Sequence, residues 1–404
     1  MPQSPADESS SGPARSARPE TPPIVSSFLS DARTPRTMPA DFAIAMRPAY
    51  GRDTLRAGQE RGERRQSMRG FEDTYVDIVD YIIRITHRIW EQQDVGYIYD
   101  TYAPGAFVYD DHGPHWGVER VIEGTVQSIH AFPDTRSWAD DVIWAGDDEE
   151  GFVTSHRYVT SGHHLGAWRW GPATGKVVNL WGIANCVIRD NEIYEEWVLY
   201  NMCSKLAQLG VDVPEAARLY GNELNAIRAD AHTTEVGRLE HGRHPEPYPA
   251  PTGEGFDLDH LLRRLWHDVY NRRDLSGVDR AYARNARWRG TSDRHGFGRS
   301  DIKGQARALL ATFPDLGLTV DEIYWMGNDA DGYRASLRWS ATGTHRGYAM
   351  YGAPTGRRVR LWGISQVYLS GGVITEEWSL FNEFDVLAQI LADEPRAMFP
   401  LPRP

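Results

Sequence analysis

The sequence predicts an α+β protein of two tandem domains, each with N-terminal helices packed on a bent, mostly antiparallel sheet. Three observations support this. Residues 132–207 align without a gap onto residues 313–388, with 29 identities in 76 pairs. Each copy opens with apolar residues at helical spacing, and after a shared Phe-Pro-Asp triplet the spacing changes to two. Because each unit is about 140 residues long, the chain is a duplicated domain rather than a solenoid of short repeats.

The helical segments come first in each copy. In residues 75–90 the apolar positions, among them Ile78, Ile82, Ile85 and Ile89, recur at three- and four-residue steps, and residues 258–269 repeat the pattern. A second helix precedes each Phe-Pro-Asp triplet. It should end there, because the residue before Pro133 or Pro314 is disfavoured in a helix.

Four strands should follow in the first copy. The segments are rich in Val, Ile, Trp and Tyr, alternate in polarity and are separated by Gly, Asp and Asn turns. They cover residues 141–144, 151–160, 177–187 and 193–201.

The flanking segments set the predicted boundaries. Residues 1–70 are dominated by Ser, Pro and Arg without an apolar period, which predicts a disordered leader. Residues 210–255 should hold a helix with Pro214 near its start and a Pro-rich tether over residues 241–254. The domains are then residues 71–209 and 256–393, followed by a short tail, 394–404.

The composition indicates which classes of partner the protein does not bind and in which cellular compartment it is found. The chain has 56 Asp and Glu against 44 Lys and Arg, which argues against a nucleic-acid or anionic-membrane partner. No apolar stretch is long enough to span a bilayer, and no secretory signal is present. The two cysteines, Cys186 and Cys203, do not form a disulfide framework. We therefore predict a cytoplasmic protein.

The motifs resemble the SnoaL-like polyketide cyclase family of the nuclear transport factor 2-like superfamily. The first copy carries Gly-x-His-x-Gly at 162–166, Pro-x-Thr-Gly-Lys at 172–176 and Ile-x-Glu-Glu-Trp at 193–197. The second copy carries Gly-x-His-x-Gly at 343–347, Pro-Thr-Gly-Arg at 354–357 and Ile-x-Glu-Glu-Trp at 374–378. The resemblance spans both copies and is more informative about fold than about reaction, since one fold hosts many chemistries.

The resemblance implies cone-shaped α+β barrels with a central cavity that binds a small-molecule substrate. It implies pairing through the sheets, hence an intramolecular pseudo-dimer of the two repeats, and further homo-oligomers stay open. It also implies acid/base catalysis by a carboxylic acid and a histidine, without a metal or organic cofactor. Many relatives have an Asp four residues after the Trp of the Glu-x-Trp strand. Here the position is Asn201 or Asn382, whose amides can hydrogen-bond a substrate but cannot take its proton.

Alternation in residues 193–201 places Glu195, Trp197, Leu199 and Asn201 on one face. The second copy repeats that face as Glu376, Trp378, Leu380 and Asn382. If this face lines the cavity, Glu195 is the carboxylate near the missing Asp. The alternative is that Glu195 pairs with an Arg and Trp197 is core.

His164 and His345 are the motif histidines, and His156, Tyr158 and His164 share one strand face in the first copy. An imidazole with its ordinary pKa of about 6.5 suits proton transfer at neutral pH. The alternative is a structural histidine that holds the loop before Thr-Gly.

Asp110 and His112 belong to a third cluster, residues 109–115, in which two acids and two histidines could supply a general base. A metal site and a solvated loop are the alternatives, and the spacing matches no common metal motif.

These observations predict a cofactor-free acid/base enzyme of the lyase, isomerase or cyclase type. His164 and Glu195 would move protons, Asp110 and His112 would assist, and the remaining candidates would bind substrate: Asn201, Tyr158, His156, Trp197, His345, Glu376 and Asn382. A non-catalytic binding or scaffold protein is the first alternative. An epoxide-type hydrolase, which would need an Asp-Arg-Asp arrangement, is the second.

Overall fold

The computed structural model describes residues 36–37, 63–64, 66–227 and 257–393. The predicted tether, the tail and most of the predicted leader lie outside them. A two-residue strand, β1 (Arg36–Thr37), precedes the first domain. The helices of that domain are α1 (Ile78–Thr86), which continues as a π-helical turn to Glu91, α2 (Ile98–Thr101) and α3 (Val118–Ala131). The side chain of Asp77 caps α1 by accepting a hydrogen bond from Asp80 N at 2.7 Å.

The first sheet has six strands in the order β3-β2-β7-β6-β5-β4. The pair β2–β7 is parallel and the others are antiparallel. The strands are β2 (Tyr102–Asp110), β3 (Gly113–Trp116), β4 (Arg136–Asp147), β5 (Gly151–His163), β6 (Val177–Arg189) and β7 (Glu192–Leu199). Helices α4 (Met202–Leu209) and α5 (Val213–Ile227) follow, the latter in the segment predicted to join the copies.

The second domain repeats this order. Helices α6 (Leu258–Trp266), continued by a π-helical turn, and α7 (Ser276–Ala281) precede β8 (Tyr282–Gly290) and β9 (His295–Phe297). Then come α8 (Gly298–Thr312), β10 (Gly317–Asn328), β11 (Gly332–Thr344), β12 (Arg358–Ser370), β13 (Val373–Phe381) and α9 (Glu383–Leu391). Its sheet has the order β1-β10-β11-β12-β13-β8-β9, so the leader strand β1 adds to the edge of the second domain.

The prediction of two tandem α+β domains with mostly antiparallel sheets is confirmed. The sheets are open, however, because β3 and β4 form opposite edges of the first sheet and do not pair. The barrel implied by the resemblance is therefore not closed. The proline stops act as expected, since α3 ends at Ala131 and α8 at Thr312. The ordered first domain begins before residue 71, because Met68 is buried in its core.

The Gly-x-His-x-Gly motif joins a helix end to the sheet in both copies. Leu165 N and Gly166 N donate to Ala131 O, the last carbonyl of α3, at 3.0 and 3.2 Å. A Cβ at Gly166 would lie 2.0 Å from His130 O, and one at Gly347 would lie 1.6 Å from Ala311 O. Only glycine permits this approach, so the motif glycines satisfy helix-terminal carbonyls that would otherwise lack partners.

The two sheets pack against each other through one face of each, and the contacts repeat when the copies are exchanged. Arg157 lies over the Trp378 ring at 4.2 Å, and its counterpart Arg338 lies over Trp197, the counterpart of Trp378, at 4.1 Å. Trp181 meets Trp378 edge to face at 5.0 Å, and Trp362 meets Trp197 at 5.1 Å. Such reciprocal contacts are the signature of a twofold interface, here formed within one chain.

Hydrogen bonds in this interface follow the same exchange. Asn185 donates to Ser336, and Gln366 donates to Ser155 at 2.9 Å. Arg157 also donates to Gln366, Tyr368 and Asp140 at 2.6 to 2.8 Å. The Arg157 side chain is 3% exposed, so these contacts form in a largely desolvated region.

We expect Arg157→Ala to lower the free energy of unfolding by about 2 to 4 kcal/mol, because it leaves buried acceptors without their donor. Denaturant unfolding followed by tryptophan fluorescence measures this. The matched control is Lys303→Ala, which removes a more exposed pair with Asp279 and should cost less than about 1 kcal/mol. Equal effects of the two substitutions would contradict the packing described here.

Candidate active site

A cavity of about 830 Å³ lies inside the first domain, between its helices and the sheet face that points away from the second domain. Helices α1 and α3 contribute Ile82, Ile85, Val121 and Thr125 to the wall. The volume lies in the range of 300 to 1,000 Å³ that is typical of small-molecule sites.

The central strand β6 provides the floor of the cavity with small side chains. His156 and Tyr158 of β5 pair with Ala184 and Gly182 of β6. On the other side, Glu196 of β7 pairs with Cys186. A Cβ at Gly182 would lie 2.3 Å from Tyr158 Oη, so the phenol folds over this glycine. The floor therefore lies between a wall that carries His156 and Tyr158 and a wall that carries Glu196.

Glu196 is the cavity carboxylate of β7. Tyr102 Oη donates to its Oε2 at 3.0 Å, and its Oε1 has no hydrogen-bond partner among the described residues. Burial, opposed by the Tyr102 hydrogen bond and reinforced by the charge of Asp110, raises the pKa of Glu196 to about 7. A carboxyl group with this pKa can both take and return a proton at neutral pH.

His156 and Tyr158 face the cavity with unused hydrogen-bonding capacity. Neither His156 Nε2 nor Tyr158 Oη has a partner in the described part of the chain. Burial, followed by the charge of Arg157, lowers the pKa of His156 to about 4, so the imidazole is neutral at pH 7. Burial also holds the pKa of Tyr158 well above its ordinary value, so the phenol keeps its proton.

Asp110 and His112 lie at the cavity wall where β2 turns into β3. His112 N donates to Asp110 Oδ1 at 2.7 Å, and His112 Nδ1 lies 3.7 Å from the same oxygen. Burial alone would raise the pKa of Asp110, but the hydrogen bonds and charge of His112 outweigh it and lower the pKa. Within the described ranges, no three His, Cys, Asp or Glu side chains gather in a group that could hold a metal ion.

Lys205 enters the cavity from α4. Its Nζ lies 4.4 Å from the ring centroid of Phe132 and 4.5 Å from that of Trp168. Burial lowers the pKa of Lys205 to about 8, although the charge of Asp111 acts in the opposite direction.

The second domain helps to position one side of the cavity. Tyr220 and Glu223 of α5 line it, and Tyr220 Oη donates to His112 O at 2.9 Å. Phe384 of α9 packs against Tyr220 and against the His112 ring.

In the second copy, three positions equivalent to polar residues of the cavity wall are apolar and belong to the core. His156, Tyr158 and Lys205 correspond to Leu337, Trp339 and Val386. Asp110 corresponds to Gly290, and the ring of Trp288 lies over that glycine. Glu377 is still buried beside Tyr282, which donates a hydrogen bond to it, and burial raises its pKa to about 7.

The prediction that Glu195, Trp197 and Asn201 face the cavity is wrong. Trp197 Nε1 donates to Glu195 Oε1, and this face of β7 packs against the second domain. Asn201 Oδ1 accepts from Ser292 N of the second domain at 2.8 Å. This face of β7 packs in the interface between the two sheets. Because side chains alternate along a strand, the residues of the other face point towards the cavity.

The corresponding residues of the second copy are also held by hydrogen bonds to other residues of the protein. Glu376 accepts from Trp378 Nε1 at 2.9 Å and from Arg287 at 2.7 Å. Asn382 Oδ1 accepts from Trp362 N at 2.9 Å.

His164 and His345 do not line the cavity, contrary to the prediction, and their geometry fits the structural alternative. His164 Nδ1 lies 3.2 Å from Thr174 Oγ1 and 3.3 Å from Thr174 N, and the His345–Thr355 contacts have the same lengths. The His164 side chain also stacks on Phe132. Both imidazoles thus hold the loop before Thr-Gly.

The sequence prediction missed Glu196, Tyr102 and Lys205. A signal was present for Lys205, because polar residues of the first copy that become apolar in the second mark the cavity wall. Glu196 gave no such signal, since it is identical in both copies.

The family model of the SnoaL-like polyketide cyclases matches residues 80–209 and 260–390, which is more than half of the chain. The chain belongs to the SnoaL-like polyketide cyclase family. The two matches correspond to the two copies of the repeat. No curated protein matches the chain significantly.

Solved structures similar to single parts of this SnoaL-like chain include AclR from Streptomyces galilaeus, at 28% identity over 32% of this chain and 92% of AclR, with a TM-score of 0.28. IdmH from Streptomyces antibioticus matches at 22% identity over 33% of this chain and 98% of IdmH, with a TM-score of 0.29. A protein from Catenulispora acidiphila with a ketosteroid isomerase-like fold, in complex with trimethylamine, matches at 16% identity over 33% and 92%, with a TM-score of 0.27.

No helix in the described parts of the chain is long and apolar enough to cross a membrane. The predicted cytoplasmic location stays a prediction.

We expect Glu196→Gln to stabilise the protein at pH 8 by roughly 1 to 3 kcal/mol and to change stability much less at pH 4.5. The folded-state pKa of about 7 lies above the ordinary 4.5. The folded protein therefore holds a proton that the unfolded chain has lost between these values, and its stability falls as the pH rises through that window. Urea unfolding at both pH values measures the difference.

Glu150→Gln, in the exposed turn between β4 and β5, is the control for the lost charge. A destabilising effect of Glu196→Gln at pH 8 would show that the carboxylate of Glu196 is well solvated or paired, against the site described here.

Proposed function

We propose that the first domain catalyses cofactor-free proton transfer on a small carbonyl compound, as an isomerase or cyclase, and that the second domain is structural. Glu196 would be the general base and acid. The observation that supports this most directly is the free Oε1 of Glu196, which faces a cavity whose opposite wall holds His156 and Tyr158 without hydrogen-bond partners among the described residues.

Glu196 has the position and acidity that such a reaction needs. Tyr102 fixes one carboxylate oxygen at 3.0 Å, which orients the other oxygen. With a pKa of about 7, the group is a stronger base than an ordinary carboxylate and is still partly ionised at neutral pH. The proton it takes from carbon stays on the carboxyl group until it returns to the product.

His156 and Tyr158 are suited to stabilise the oxygen that becomes negative. When Glu196 removes a proton from the carbon beside a carbonyl group, the electron pair moves onto the carbonyl oxygen. Tyr158 Oη–H, and His156 when Nε2 carries the hydrogen, can donate to that enolate. Donors aimed at a developing charge in a site that excludes water are a major source of rate enhancement.

The enolate has two outcomes in this site. If the compound is an unsaturated ketone, its enolate is a dienolate, and return of the proton to the far carbon shifts the double bond and gives an isomer. Attack of the nucleophilic carbon on a second carbonyl of the same molecule forms a carbon–carbon bond and a ring, and a proton then neutralises the new alkoxide. Both outcomes conserve atoms and electrons without a cofactor, and the enclosed walls hold the reacting groups together.

The residues that line the cavity give less support to the two alternative functions, an epoxide hydrolase and a non-catalytic binding protein. Asp110 is the single Asp among the residues that line the cavity, so the Asp-Arg-Asp arrangement expected for an epoxide hydrolase does not form there. A non-catalytic binding protein would have no use for a carboxyl group placed opposite unpaired donors, but it stays an outcome of the test below.

Exchange of carbon-bound hydrogen with solvent deuterium tests the proposal. The full chain is incubated in D₂O with a panel of aromatic β-diketones and aryl ketones, and loss of the α-proton signal is followed by NMR. We expect the wild type to accelerate exchange of at least one compound. Glu196→Gln should lower the rate by about 10²- to 10⁴-fold, the usual contribution of a general base.

Glu377→Gln is the matched control, because it removes the equivalent carboxyl group of the second copy. It should leave the exchange rate unchanged. A loss of only about twofold in each variant would place the reaction in both copies, because the rates of two independent sites add. Binding of the compounds without exchange would favour the non-catalytic alternative, and exchange that survives Glu196→Gln would refute the role of Glu196.

A further inference from the structure

Lys205 is a cation of the cavity wall with no carboxylate in direct contact among the described residues, although the charge of Asp111 acts on it from beyond 4.0 Å. Of the residues that line the cavity, three are Lys or Arg, and two of these are paired: Arg120 lies 2.7 Å from Glu123, and Arg169 lies 2.6 Å from Glu223. No carboxylate oxygen of the described residues lies within 4.0 Å of Lys205 Nζ. Its close neighbours are instead the faces of Phe132 and Trp168.

The fold itself does not require this ammonium group. The second copy has the same helix, strand order and Phe313, but Val386 stands at the position of Lys205 and is buried in the core. An enclosed charge is costly unless it is paired, and contact with aromatic faces returns about 0.5 to 2 kcal/mol. A ligand that supplies the missing negative charge would explain why an ammonium group stands here.

We propose that the substrate is an aromatic carboxylate whose carboxylate group pairs with Lys205 while its ring lies along the floor of β6. This inference rests on the proposed function, because it takes the same cavity as the reaction site. The aromatic neighbours of the ammonium group favour a flat, apolar ring beside the charge.

The number of unpaired cations in the cavity wall favours a ligand with one negative charge over a phosphate dianion. One ammonium group with no carboxylate in contact balances at most one negative charge of a ligand, and both arginines of the wall are already paired. Asp110, which also lines the cavity, would repel a dianion. Burial lowers the pKa of Lys205 to about 8, so most of the amine is protonated at neutral pH, and a bound carboxylate would raise that pKa.

The positions of Lys205 and Glu196 also limit the shape of the ligand. Glu196 pairs with Cys186 near one end of β6, whereas Leu180 packs with Phe132, the ring under Lys205. The six residue steps from Leu180 to Cys186 span roughly 20 Å of strand. Since both side chains project into the same cavity, a compound that contacts both is longer than a single ring.

Binding of matched probes to the full chain tests this inference. 2-Naphthoate and 2-naphthamide have the same ring, and only the first is charged at pH 7. By isothermal titration calorimetry we expect the wild type to bind naphthoate roughly 10- to 100-fold more tightly, the range for one hydrogen bond to a charged group. Lys205→Val, which introduces the residue of the second copy, should abolish the preference, and Lys303→Val in the second domain should retain it.

The wild type provides a second measurement that needs no variant. Its preference for naphthoate should fall as the pH is raised past about 8, where Lys205 loses its proton, after a first fall near pH 7, where Glu196 and Asp111 ionise and begin to repel the carboxylate. Equal binding of the two probes by the wild type, binding of neither, or a preference that persists in Lys205→Val would overturn the inference. Tighter binding of 2-naphthyl phosphate than of naphthoate would overturn the assignment to a monoanion.

Glu196→Gln separates this inference from the proposed function. We expect the variant to keep the preference for naphthoate, because Lys205 is intact. A preserved preference with no deuterium exchange in the wild type would refute the proposed reaction and leave the carboxylate site standing.

Discussion

The face-to-face packing of the two sheets is the constraint on which the rest of the structure depends. Side chains of a strand alternate between two faces, and in each copy one face is used for contact with the other copy. Arg157 over Trp378 and Arg338 over Trp197 are the paired contacts that fix this choice. Once Glu195 and Trp197 are committed to the interface, Glu196 must point towards the helices, where the cavity lies.

The duplication allowed the two copies to diverge on their inner faces. The first copy kept the polar walls of a cavity, whereas Leu337, Trp339 and Val386 gave the second a packed core. The second copy still contributes to the site. It covers the outer face of the first sheet, and Phe384 supports Tyr220 and His112 beside the cavity. The buried carboxyl group is common to both copies, as Glu196 and Glu377, so the copies differ in the residues around it: polar in the first and packed core in the second.

Much of the fold could be predicted from the sequence because its signals are local. The repeat, the change from helical to alternating spacing and the proline stops at Pro133 and Pro314 fixed the order of elements. Three of the four strands predicted in the first copy extend further than predicted: the segment 141–144 became Arg136–Asp147, because pairing with β5 orders the flanking residues. The leader strand at Arg36 could not be foreseen, since its partner lies almost 300 residues away in the second domain.

The site was harder to predict because alternation defines two faces without saying which is inside. Both faces of β7 carry a glutamate, and the face that is identical in the two copies was assigned to the cavity. The residues of that face are identical in the two copies because they form the interface, and a twofold contact uses the same residues from both sides. Asp110, His112, His156 and Tyr158 do line the cavity, whereas His164 does not. The difference between Lys205 and Val386 was the more informative signal for chemistry.

The ionisation of Glu196 is the most direct test of this account. A ¹³C NMR titration of the wild type, with labelled glutamate carboxyl groups, can be compared with the same titration of Glu196→Gln to identify the resonance of this side chain. We expect a carboxyl group that titrates near pH 7. A resonance that titrates near the ordinary value of 4.5 would show a solvated carboxylate and would contradict the assignment of Glu196 as the acid/base group.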